Sequence, residues 1–92
     1  VHELSIAESV VETAVEAARE EEVARVTAVH LRLGALAGVA PEALLFCYDV
    51  AVEGTPLAGS RLVIEPCEGH AIEIRALECE DAGDGGEDGG LR

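Results

Sequence analysis

The hydrophobic period changes once, sharply, along this chain, and that change sets its fold class. Behind Ser5, the residues Ala7, Val10, Val11, Ala14 and Ala18 recur every three or four positions, the spacing of one buried helical stripe. Glu8, Glu12, Glu16 and Glu20 follow one another at intervals of four along the wet side. Neighbouring like charges at that spacing cost only about 0.2–0.5 kcal/mol per pair, so the acid row weakens the helix without preventing it. Ser5 and Glu8 have the spacing of a capping box, which predicts that the helix starts there. From Arg25 to Leu33 the period drops to two, with Thr27, Val29, Leu31 and Leu33 on one side and Val26, Ala28, His30 and Arg32 on the other. That alternation predicts a strand.

The remaining elements follow from punctuation and pattern. GALAGVAP supplies two glycines, and Pro41 then stands where a second helix begins, a position at which its missing N–H does no harm. Ala43, Phe46, Cys47 and Val50 form the expected buried side of that helix, and Gly54 with Pro56 ends it. Leu62 and Ile64 alternate with Arg61, Val63 and Glu65 as a second strand, which PCEG breaks. Ile72 and Ile74 alternate with Glu73 and Arg75 as a third, running on through Leu77 to Cys79. The short gap between these two strands predicts an antiparallel hairpin. DAGDGGEDGG is glycine and acid apart from one alanine, too polar to offset its backbone entropy, so residues 81–92 are expected to be a disordered tail behind one domain over 1–80. The expected fold class is α/β of the α+β kind: a small two-layer domain with two helices on one face of a three-stranded mixed sheet.

Composition narrows the functions open to such a domain. Apolar residues are 49% of the 92 but aromatics only 2%, so the core is filled by aliphatic side chains. A formal charge of −13 argues against nucleic acid, whose phosphates need a basic surface, and favours a cation or a basic partner. No apolar run nears the roughly 20 residues that span a bilayer, and the first residues lack the basic and long apolar regions of a secretory signal, so a cytoplasmic chain without membrane contact is expected. Cys47, Cys67 and Cys79 are odd in number and form no C-x-x-C unit, which fits neither a disulfide framework nor a complete zinc site.

Few residues are placed to carry chemistry. No Gly-x-Ser-x-Gly or phosphate-cradling loop occurs, so an enzyme is not expected and no catalytic residue is assigned. Cys47 falls on the inner stripe of the second helix, as a small inert thiol would. His30 lies mid-strand on the more polar side, as a surface histidine, a pH sensor or a metal ligand would. Cys67 and His70 are spaced C-x-x-H, half of a zinc site that would need two more ligands. VHE at the front offers more. The amine of Val1, the peptide nitrogen that follows it and the imidazole of His2 can close fused chelate rings on one ion, and such a planar nitrogen set suits Ni(II) or Cu(II). The Glu3 peptide nitrogen, its carboxylate or a partner can supply the fourth donor. Alone, a histidine near a terminus reads as an exposed polar side chain.

VHELSIAESVVE, VTAVHLRLGALAGVAPEALLF, EGTPLAGSRLVIE and GHAIEIRALECE, in this order, resemble the hydrogenase-maturation nickel metallochaperones of the HypA/HybF family. The resemblance implies a small nickel-binding domain that delivers Ni(II) for [NiFe]-hydrogenase, and in some organisms urease. It implies as partners a maturation GTPase of the HypB type and the hydrogenase large subunit. The family's terminal Met-His-Glu falls on Val1, His2 and Glu3, so His2 is implied as the nickel ligand with Glu3 beside it. Members normally carry a zinc-binding loop with two cysteine pairs between the last two strands, where this chain has only PCEG, so no zinc is expected. The alternative is a metal-free interaction module that docks on maturation partners. A homo-oligomer formed through an exposed strand edge is compatible with either.

Overall fold

The computed structural model describes residues 3–80 of the 92. The order is α1 (Glu3–Glu20), β1 (Arg25–Gly34), α2 (Pro41–Ala51), β2 (Arg61–Cys67) and β3 (Ile72–Glu80), two helices over a mixed three-stranded sheet. The tail expected over 81–92 lies outside the described residues.

α1 buries the stripe its spacing predicts, Ala7, Val10, Val11, Ala14 and Ala18, with Ala7 and Ala14 fully enclosed. It starts two residues before Ser5, because acidic Glu3 in the first turn complements the positive end of the helix. Ser5 is therefore an exposed helical residue, not the cap. α2 begins at Pro41 as expected, but it is turned differently on its axis: Leu44 and Tyr48 are its buried residues, while Phe46 and Val50 point outward at 70% and 47% exposure. The only tyrosine goes inside because its hydroxyl meets that of buried Ser60 at 2.6 Å, which satisfies two polar groups that would otherwise be stranded. Burial also raises the Tyr48 pKa, against the opposing effect of the Ser60 bond.

The sheet order is β2-β1-β3, so the expected hairpin between β2 and β3 does not form. β1 stands between them, parallel to β2 and antiparallel to β3. The parallel pair is joined by α2 as a crossover, which lays that helix on the sheet. Pro66, at the outer strand β2 and opposite Leu33, costs no ladder bond that β1 needs.

Two bulges reset which side chains face the helices. The β1–β3 register slips at Thr27, so Val26 joins Val29, Leu31 and Leu33 in the core, and the simple alternation fails at that end. Thr27 instead donates from its hydroxyl to the Glu78 carbonyl at 3.1 Å. The second slip, between His30 and Leu31, leaves Arg75 as the extra residue on β3.

Residues 68–71 must carry the chain from one outer strand to the other past the end of β1. They do so directly over Gly34: its N–H donates to the Ala71 carbonyl at 2.7 Å, and the N–H groups of Ala35 and Leu36 donate to Cys67 and Gly69. A Cβ on Gly34 would stand 2.2 Å from the Gly69 carbonyl oxygen and 2.8 Å from the Ala71 nitrogen, both backbone atoms. Gly34→Ala should therefore force the crossing off the strand and cost at least the 1–3 kcal/mol or so typical of overpacking, read as a lower urea midpoint. Gly54→Ala, where a Cβ meets nothing but the backbone is left-handed at φ 77, gives the comparison for pure conformational strain.

Candidate metal centre

Of the implied nickel residues, Val1 and His2 lie outside the described residues and Glu3 opens α1. Its carboxylate has a defined role in the fold. Glu3 Oε2 accepts the Ala40 N–H at 3.1 Å, linking the start of α1 to the start of α2. Ala40 is the N-cap of α2 and has no side-chain acceptor of its own, so Glu3 brings negative charge to the positively polarised end of that helix from 37 residues away. Nothing in the local pattern around Ala40 signals this contact.

Cys67 and His70, the C-x-x-H half site, lie around the crossing. Leu36 makes two bonds to it: its N–H donates to the Gly69 carbonyl at 2.7 Å, and its own carbonyl accepts from His70 Nδ1 at 2.9 Å. The carbonyl only accepts, so His70 carries its proton on Nδ1 there. Cys67, half-buried at the end of β2, accepts the Ala35 N–H on its main-chain oxygen. Among the described residues no three His, Cys, Asp or Glu side chains gather as a metal site, so Cys67 and His70 are not joined by further ligands there. Cys47, half-buried against the core, and exposed Cys79 are free thiols as well.

His30 stands in a second titratable cluster, on the sheet face opposite the helices. Its Nδ1 lies 3.2 Å from Glu65 of β2 and its Nε2 2.6 Å from Glu78 of β3. Carboxylates only accept, so neutral imidazole satisfies one contact and imidazolium both. The bulge at Arg75 aims that guanidinium across β1 onto Glu65 through two bonds, at 2.5 and 2.7 Å. Arg61 approaches Glu78 at 3.7 Å and Arg32 approaches Glu73 at 3.5 Å. The sequence placed His30 on this side; its two acidic partners come from strands 35 and 48 residues away and carried no signal.

The Arg75 bonds, helped by His30, hold the Glu65 carboxyl down to about 2. His30 is the main cause of the lowered Glu78 value, with Arg61 adding to it. Both folded-state values lie below the ordinary carboxyl value, so the stability these groups contribute is present above that value and is lost as pH falls through the folded ones. Urea unfolding across a pH series should show stability declining from about pH 4.5 towards about pH 2, the two ends of the Glu65 shift. Arg75→Ala should flatten that decline and move the Glu65 carboxyl NMR titration upward.

Comparison with known proteins decides the family. The family model described as "Hydrogenase/urease nickel incorporation, metallochaperone, hypA" matches residues 1–86. The chain belongs to the HypA family. A hydrogenase maturation factor HypA of Roseiflexus sp. is 65% identical over 65 residues, covering 71% of this chain and 53% of that protein. The HypA of Chloroflexus aurantiacus is 58% identical over 65 residues, 71% of this chain and 57% of its own length. The HypA of Methanopyrus kandleri is 42% identical over 83 residues, 90% of this chain and 54% of its own. The chain thus spans about half the length of these HypA proteins. No helix among the described residues is long and apolar enough to cross a membrane.

Proposed function

We propose that this chain binds Ni(II) and delivers it during maturation of [NiFe]-hydrogenase, with urease as a second recipient, acting as a carrier and not as an enzyme. The family match carries the reading, because it begins at residue 1 and so includes Val1, His2 and Glu3. His2 holds the ion through its imidazole, and the Val1 amine and the following peptide nitrogens complete a planar set in which no resident zinc takes part. Such donors suit a late divalent metal, and delivery requires a set that a partner can dismantle. A maturation GTPase of the HypB type and the hydrogenase large subunit are the proposed partners, in the cytoplasm.

Glu3 stands next to the proposed donors in the chain, and its carboxylate, which accepts the Ala40 N–H, ties the first turn of α1 to the start of α2.

Titration calorimetry with Ni(II) tests the proposal on protein whose amino group at Val1 is free. His2→Ala should abolish tight binding, and a Gly-Ser extension before Val1 should do the same by converting the amine to an amide. Glu3→Ala should weaken binding about tenfold, as loss of a group that positions a metal ligand does, while Glu3→Gln, which keeps an acceptor for Ala40, should retain most of it. Affinity should fall as pH drops through the ordinary histidine range near about 6.5, since the ligand must be neutral. Unchanged affinity after His2→Ala would refute the proposal.

A further inference from the structure

α2 is apolar on two sides, and only one is covered. Leu44 and Tyr48 face the core, while Ala43, Phe46, Cys47 and Val50 form a second stripe at helical spacing that the fold leaves partly open. A helix that is apolar nearly all round is normally enclosed. Here the chain's only phenylalanine is 70% exposed with Val50 one turn on at 47%.

The charge beside the stripe selects what can cover it. Glu42, Asp49 and Glu53 run along the flank of Phe46 and Val50, all exposed, and no lysine or arginine occurs between Arg32 and Arg61. Arg32, Arg61 and Arg75 are spent on the opposite face of the sheet, each beside a glutamate. The outer side of α1 adds Glu8, Glu12, Glu16 and Glu20 without neutralising partners on α2. A second copy would bring the same acid row against this one, and residues 81–92 carry four acids against one arginine. Both are electrostatically poor occupants.

We propose that the Ala43–Phe46–Cys47–Val50 stripe of α2 is a docking surface for an amphipathic helix of a partner protein whose apolar face is flanked by lysine or arginine. Phe46 is the anchor, an exposed aromatic of the kind that concentrates binding energy at interfaces, and the Glu42–Asp49–Glu53 row sets orientation and partner choice. The proposal does not depend on the nickel reading, because the stripe lies on the outer side of α2 and none of the nickel residues belongs to it.

The probe is a synthetic amphipathic helix of about five turns with a leucine stripe flanked by lysines, and a counterpart with glutamate in place of each lysine. Titrated into the isotopically labelled full chain, the lysine peptide should shift the amides of α2 around Phe46 and Val50, and the glutamate peptide should not bind. Phe46→Ser and Val50→Ser together should weaken binding at least about tenfold. Glu42→Gln with Asp49→Asn should weaken it and reduce its salt dependence. Glu12→Gln with Glu16→Gln, which removes as much charge from α1, should leave it within about twofold. Circular dichroism and Ni(II) affinity of the Phe46→Ser/Val50→Ser protein should match the parent, which separates loss of docking from loss of fold or of nickel. Shifts confined to the α1 acid row, binding unaffected by loss of Phe46, or sedimentation showing a dimer that Phe46→Ser dissolves would each overturn the proposal.

Discussion

β1 is hydrogen-bonded along both edges, and the placement of every other element follows from that. Val26, Val29 and Leu31 are wholly enclosed under the helices, so the strand with the most apolar surface to hide takes the one place in a three-stranded sheet where both neighbours protect it. A parallel neighbour requires a crossover, and α2 supplies it; an antiparallel neighbour on the other side requires the chain to pass over the end of β1. The second requirement leaves no room for a side chain at Gly34. It also brings Leu36, Gly69 and His70 to the same end, beside the loop that leads to Ala40 and, through it, to Glu3.

What the sequence made legible was whatever depends on near neighbours. The α1 stripe, the proline that opens α2, the existence of three strands and the two-layer class are local statements, and the structure bears them out. Pairing order was not legible, because a short gap between strands favours a hairpin only when no third strand offers more burial, and β1 does. The bulges at Thr27 and Arg75 carry no glycine to announce them, yet one brings Val26 into the core and the other turns Arg75 to reach Glu65. The rotation of α2 was undecidable from periodicity, since two apolar stripes compete. Ser60 settles it by giving Tyr48 a buried partner that Phe46 could not have used.

The candidate site divides in the same way. His2 and Glu3 are visible as a chemical pattern because the donors are consecutive along the chain. The capture of the Glu3 carboxylate by Ala40 is a tertiary event, as is the clamping of His30 between two strands. Both belong to the class of contact that a single sequence cannot reveal: a polar group whose partner is set by topology and not by spacing.

Charge is distributed by layer. On the open sheet face every arginine of β1, β2 and β3 except Arg25 stands beside a glutamate, and Ala28 is fully enclosed between the rows of Arg61 and Glu78 although it faces away from the helices. That face is electrostatically closed. Glu8, Glu12, Glu16 and Glu20 of α1 and Glu42 and Asp49 of α2 face no basic residue on α2, and at surface dielectric their mutual repulsion is small per pair but falls whenever a cationic surface approaches. α2 belongs to both parts of this picture, since its first N–H group is held by Glu3 and its outer face carries Phe46 among carboxylates. The two helices also pack on each other directly, with the α1 stripe and Leu44 and Tyr48 of α2 in one core, so the bond from Ala40 to Glu3 adds a polar tie at the start of both helices to a contact that is otherwise apolar.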